Sequence, residues 1–471
     1  MANSLNILFV NQTGLPDSQV FITFQDPSQT LNVSYNGQTL GRNKAGDMMT
    51  QSLSLETITA DGLHVYNARG PVVFVSFEAT MAHDGFSMDA DLSGNAQPSF
   101  IGSGGANYFK AYQPFEINYE GSETNGQGNL TNINYFGAAL SIQSYHGGVS
   151  GELLQTRGNT DTQSMSKRLG SLVNGPNSEL AAISNHGKML RYIGPSSFGA
   201  GSNPYPSFDA YLDYLCSNSI TSQIENNNAF NTMTSPAVGN LNYNYTLKFL
   251  ATVSADRTIT LAGEITTTIT PFGGTSSPGK TYTGASMTIS PTIGSHTSAA
   301  IFNNTIYGQA DPLGPGKGST VFNSIWAELA NDMANLGLCL NKVPGTTYTT
   351  TQSLAIGEIT TGLLGGFVGS DLAYFAGDPA YQRYDKSAYK SIPSAAWWNA
   401  KTVPSPSALQ PAHPYYSSYS EVIFDATSNE VYSIPFSDRF GQGPLMQTQL
   451  YNGKVVDTWV VTIGRPLFNL S

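Results

Sequence analysis

Carboxylates, amides and aromatic rings crowd one stretch of this chain, QPFEINYEGSETNGQGNLTNINYFGAAL from Gln113 to Leu140. Glu116, Glu120 and Glu123 bring together the residue type that gives and takes protons in general acid–base chemistry, and the asparagines and tyrosines between them supply hydrogen-bonding groups and ring faces. The two flanks alternate in character and are separated by the Gly/Asn/Ser-rich run from Gly121 to Gly128, which predicts two strands joined by a loop. Side chains two apart share a face, so a strand that stays regular past Glu116 puts Glu120 on the same face, four residues away at about 3.3 Å each.

The elements that must position this hairpin are mostly strands. LNILFV and VFITF, between Leu5 and Phe24, flank the turn chemistry of NQTGLPDSQ, and Arg69–Phe77 is a near-continuous β-branched and aromatic run of the kind buried on both faces. The Gly-rich GGVSG at 147–151 marks a change of texture. Beyond it, Ser207 precedes FDAYLDYL, whose apolar spacing of three and four predicts a short amphipathic helix, and residues 242–270 alternate around a polar turn as two more strands. A longer helix is expected from Ser319, with Phe322, Ile325, Leu329, Met333 and Leu336 on its core face. Val343–Pro411 reads as long loops carrying Trp397 and Trp398, after which SEVIF, EVYSIPF and KVVDTWVVTI read as strands. The expected organisation is mainly β with an α/β insertion, residues 1–148 and 346–471 forming one lobe (346–410 loop-rich) and 149–345 a mixed α/β lobe.

Composition narrows the partners. The chain has 471 residues, a formal net charge of -11 and only 11% charged residues, with 25 tyrosines and 23 phenylalanines. A nucleic-acid backbone needs clustered Lys and Arg, so no nucleic-acid partner is expected and neutral ligands fit better. The mix is common among extracellular β-rich proteins that handle polysaccharides. No apolar run approaches bilayer length and the N-terminus lacks a basic signal-peptide region, so neither a membrane partner nor a signal peptide is expected. Cys216 and Cys339 are too few for a disulfide scaffold, and their pairing is left open, as is the oligomeric state. Scattered histidines without HExxH or CxxC argue against a metal site, and no cofactor motif is present: GPGKGST at 314–320 fails as a phosphate loop because Gly318 stands where Ser or Thr is required. No GxSxG elbow anchors a hydrolase triad.

Four segments carry a resemblance to a known family: FEINY at 115–119 with NLTNINYFGAAL at 129–140, KMLRYIGP at 188–195, FDAYLDYL at 208–215, and HPYYSSYSEVIFDATSNEVYSIPFSDRFG at 413–441. In order and spacing they resemble the β-1,3-glucanases of glycoside hydrolase family 64, in the thaumatin-like superfamily. The resemblance implies a thaumatin-like β-barrel or sandwich lobe and a mixed α/β lobe forming a crescent with a wide groove for a β-glucan chain. It also implies an inverting acid/base mechanism, a catalytic glutamate at Glu116 and a second acid in a motif of the form N-x-[ST]-x-V-D. Asn129, Thr131 and Ile133 fill that pattern, but Asn134 stands at the acid position. An amide cannot act as the base, and losing one typically costs on the order of 10²–10⁴ in rate. Glu120, Glu123 and Asp438, the last in a C-terminal acidic segment like the family's, are the candidate replacements. Asn118, Tyr119, Thr131, Tyr135, Trp397 and Trp398 are the candidates for holding sugar, the aromatics by stacking on pyranose C–H faces. A catalytically silent glucan-binding or structural relative is the alternative expectation.

Overall fold

A computed structural model describes residues 4–42, 47–82, 89–90, 96–97, 106–121, 126–173, 178–195, 198, 204–235, 239–271, 277–291, 301, 319–335, 357–370, 394, 403–435, 437 and 443–470. The fold is mainly β with several sheets and a few helices. The chain divides into two compact units, Met1–Tyr205 with Ser418–Ser433 and Gln442–Ser471, and Pro206–Ser417 with Ile434–Gly441. Against the boundaries expected at 148 and 346, the first unit extends to Tyr205, and the second extends to Ser417 across the run expected to be loop-rich.

In the first unit the two ends of the chain meet. The opening strand Leu5–Asn11 pairs in parallel with the closing strand Thr458–Pro466, inside an eight-stranded sheet that also holds Ala138–His146, Glu152–Gly158 and Leu63–Ala68. A six-stranded sheet faces it, in the order Leu445–Gln447, Gln127–Leu130, Ala111–Ile117, Val72–Phe77, Val20–Gln25 and Leu53–Ser54. Phe115, Leu130, Val73, Val75, Phe24 and Ile22 share its inner face and are buried. From the other sheet Trp459, fully buried, donates its indole N–H to the Gln447 carbonyl. The result is a sandwich, with no closed barrel among the described residues. Glu116 belongs to the opposite, outer face, because its neighbours Phe115 and Ile117 point in.

The second unit is built on a five-stranded antiparallel sheet, Thr221–Ser235, Gly239–Val253, Ile259–Pro271, Ser277–Ser290 and Ser319–Phe322 in sequential order. Leu247, Phe249, Leu261, Ile265, Met287 and Ile289 are buried on one face. The helix Ser324–Asn335 packs there, its Trp326 giving its N–H to the Ser286 carbonyl at 3.1 Å.

Three expectations are corrected. The helix expected from Ser319 begins at Ser324, because Ser319–Phe322 pairs with the edge of the five-stranded sheet. SEVIF is helical, within Ser418–Thr427, and not a strand. Among its described residues EVYSIPF contributes only an isolated bridge, Tyr432 to Thr131, and no strand. The helix at Asp209–Ser217, with Phe208 at its N-cap, and the closing strand stand as expected. Trp397, Trp398, the 314–318 part of the glycine-rich loop and Cys339 lie outside the described residues, and Cys216 is a free, half-buried thiol.

Two measurements follow from this packing. Gly128 stands opposite Ile117, and a Cβ there would lie 2.4 Å from the Glu116 carbonyl oxygen and 2.7 Å from the Trp459 ring. Gly128→Ala is therefore expected to destabilise the chain by about 1–3 kcal/mol through overpacking; an unchanged urea midpoint would contradict the packing. The second concerns Tyr112, Tyr135, Tyr205, Tyr211 and Tyr419, whose hydroxyls burial pushes above the ordinary value of 10.0. Because the folded chain holds these protons where the unfolded chain releases them, their contribution to stability is complete below about pH 10 and declines as pH rises through that value. Alkaline titration should therefore show a late, cooperative tyrosinate step that coincides with loss of near-ultraviolet circular dichroism. Smooth ionisation of every tyrosine without unfolding is the opposing result.

Candidate active site

Glu116 is next to last in the strand Ala111–Ile117 and lies directly across from Asn129 of the strand Gln127–Leu130. This is the hairpin expected from the sequence. The Glu116 side chain is half-exposed, and Asn129 Nδ2 donates to Glu116 Oε2 at 3.0 Å. Asn129 is nearly buried, and its Oδ1 has no hydrogen-bond partner among the described residues. A carboxylate held by a cross-strand amide near the end of its strand is oriented while staying half-exposed.

Behind it, the chain from Thr131 to Ala138 turns from the six-stranded to the eight-stranded sheet, and Gln113 fastens both ends of the turn. Gln113 Nε2 donates to the Thr131 carbonyl at 3.1 Å and to Asn132 Oδ1 at 2.6 Å, while Oε1 accepts from Gly137 N at 2.9 Å and Ala138 N at 3.3 Å. Asn134 rides on this turn, half-exposed, its carbonyl accepting from Gly194 N at 2.7 Å. Gly194 is glycine for a steric reason, since a Cβ would meet the Ile133 carbonyl oxygen at 2.6 Å.

The next layer is a buried cation among tyrosines. Arg191, fully buried in the strand Lys188–Ile193, donates to the Lys110 carbonyl and, at 2.7 Å, to the Tyr108 carbonyl, and lies 4.4 Å from the Tyr112 ring centroid. Tyr112 meets Tyr135 edge-on at 5.1 Å. Burial drives the Tyr135 hydroxyl well above its usual range; Tyr112, Tyr419 and Glu116 add to the shift, and Arg191 opposes it. Tyr135 therefore sits within electrostatic reach of both Glu116 and Arg191. Gln113, Tyr112 and Arg191 were not singled out from sequence, although a glutamine and an arginine inside apolar strands are the signal that finds them, because a buried polar group needs built partners.

Glu120 is separated from Glu116. The first strand ends at Ile117, and Tyr119–Glu120 crosses to pair with Leu63–Ala68 of the other sheet, where Glu120 makes an ion pair with Arg69 at 2.9 Å. The expectation of a shared strand face is thus corrected. Tyr119 and Tyr135 are each 2% exposed and present no ring face to solvent, so both are packing residues and not stacking surfaces. Asn118, half-buried, keeps the hairpin together through its backbone, with N donating to the Gln127 carbonyl at 2.8 Å and O accepting from Thr448 Oγ1 at 2.6 Å. Thr131 is half-buried at the bridge to Tyr432. Glu123 and Asp438 lie outside the described residues. Among the described residues no helix is long and apolar enough to cross a membrane.

No family profile matches the sequence, and no curated protein matches it. Solved structures that are similar in chain path include a β-1,3-glucanase domain (GH64) from Clostridium beijerinckii, at 13% identity and TM-score 0.49 over 98% of each chain. A laminaripentaose-producing β-1,3-glucanase in complex with laminaritetraose matches at 11% identity and TM-score 0.49 over 99% of each chain. The GH family 64 laminaripentaose-producing enzyme from Paenibacillus barengoltzii, complexed with laminarihexaose, matches at 11% identity and TM-score 0.43, over 98% of this chain and 75% of that one.

Proposed function

We propose that this chain hydrolyses β-1,3-glucan outside the cell, with Glu116 as the acid that protonates the departing glycosidic oxygen. The observation that carries the reading is the half-exposed Glu116 carboxyl held at 3.0 Å by Asn129 across the hairpin, inside the two segments that resemble a glucanase site most. In an inverting cleavage, water attacks the anomeric carbon from the face opposite the leaving oxygen and gives its proton to a second carboxylate, roughly 6.5–9.5 Å from the first. Asn134 can orient that water through its amide oxygen but cannot take the proton. The base is then Glu123, in the sequence between the two strands, or Asp438; Glu120 is committed to the ion pair with Arg69.

Incubation with laminarin or curdlan, followed by analysis of soluble oligosaccharides, tests this reading. Glu116→Gln is expected to reduce product formation by about 10²–10⁴ with no change in thermal stability. Wild-type chain that releases nothing above the variant removes the hydrolase reading and leaves a glucan-binding protein. Asn134→Asp restores a carboxylate on the turn and is expected to raise turnover at least about ten-fold, within the range a general base contributes. A lower or unchanged rate would show that water is not activated from that turn.

A further inference from the structure

The second unit contains a graded stack of rings that hydrolysis at Glu116 does not use. Tyr211, on the helix Asp209–Ser217, is 2% exposed and its hydroxyl donates to the Val368 carbonyl. Tyr415 lies parallel to it, with centroids 5.0 Å apart and planes at 1°. Tyr214, one turn further along the helix, meets Tyr415 at 5.1 Å and 31°, and His413 stacks on Tyr415 at 5.0 Å and 29°. Exposure rises outward: Tyr211 is buried, Tyr415 and Tyr214 are half-buried, and His413 is exposed. The strap that carries the outer rings is fastened, with Tyr415 N donating to the His413 carbonyl at 2.8 Å and Ser417 N to the Leu364 carbonyl at 2.8 Å. Gln410 Nε2 donates to the Gly366 carbonyl at 2.9 Å.

We propose that His413, Tyr415 and Tyr214 form a sugar-stacking platform, a binding site for neutral polysaccharide in the unit that does not contain Glu116. Ring faces are electron-rich and attract the C–H face of a pyranose, and rings locked by neighbours lose little rotamer freedom on binding. A stack built for the core alone has no need to continue to an exposed ring, whereas a platform does. Along the neighbouring stripe of the same helix, Arg257 pairs with Asp209 and with Asp213, the latter Nε to Oδ1 at 3.0 Å. Two carboxylates beside the platform, in a chain of net charge -11, disfavour a polyanionic ligand.

The test is affinity electrophoresis of the full chain through gels containing laminarin. His413→Ala, which removes an exposed ring and its stack on Tyr415, combined with Tyr214→Ala, is expected to weaken retardation at least about five-fold, as expected from losing two stacking contacts. Tyr214→Phe, which keeps the ring, should retain it, as should Glu116→Gln. Retardation of the double variant equal to wild type overturns the platform, as does a wild-type chain that laminarin does not retard. Oligosaccharide release, scored in parallel, separates this proposal from the hydrolase reading. Products with undiminished retention in the double variant leave Glu116 standing and remove the platform. Ring-dependent retention without products does the reverse.

Discussion

The amide of Gln113 is the interaction on which the first unit's site depends. One side chain in the Glu116 strand donates to Thr131 O and Asn132 Oδ1 and accepts from Gly137 N and Ala138 N, so both ends of the turn that carries Asn134 are referred to the strand that carries Glu116. The turn leaves one sheet for the other, with Tyr135–Phe136 pairing Ile193 and Tyr192 on the way, and buried backbone groups at its two ends that went unpaired would cost about 1–3 kcal/mol each. Gln113 supplies their partners, and Arg191 does the same for the carbonyls of Tyr108 and Lys110. A site whose two faces are fixed by buried hydrogen bonds is one whose geometry survives thermal motion.

Much of this was legible from sequence where the pattern had one reading. The hairpin around Gly121–Gly128, the buried run ending at Phe77 and the closing strand all combine β-branched residues with turn chemistry at their ends, and each forms the expected strand. SEVIF failed because a short apolar run does not declare its period. Tyr419, Val422, Ile423 and Phe424 are buried along one helix that packs against Thr162–Leu172, with Asp425 reaching Arg168 at 2.7 Å. Tertiary contact settled the choice. At Ser319 the helical spacing was real, but the open edge of Ser277–Ser290 captured the first four residues, and Asn323 closed the junction by donating to the Gly284 carbonyl at 2.7 Å.

The candidate site was half legible. Glu116 could be read because FEINY resembles a glucanase segment; Asn129 was legible only as the start of the N-x-[ST]-x-V-D pattern, and its place across from Glu116 comes from the strand register. Glu120 could not be placed, because the crossing between sheets at Asn118 leaves no mark in residue types, and the two-residue alternation continues across it. Burial of Tyr119 and Tyr135 was equally silent, since a tyrosine that stacks on a ligand and one that fills a core look alike in sequence. The rings that do reach solvent in the second unit, His413, Tyr415 and Tyr214, come from two segments nearly two hundred residues apart, a distance only folding closes.

The central claim is that Glu116 serves as the acid of an inverting glucan cleavage, and the anomeric configuration of the first product tests it most directly. Proton NMR of laminarin during the first minutes of digestion, before mutarotation mixes the anomers, should show the α-anomer accumulating first. First release of the β-anomer would mean that a carboxylate attacks the sugar directly and would contradict this assignment.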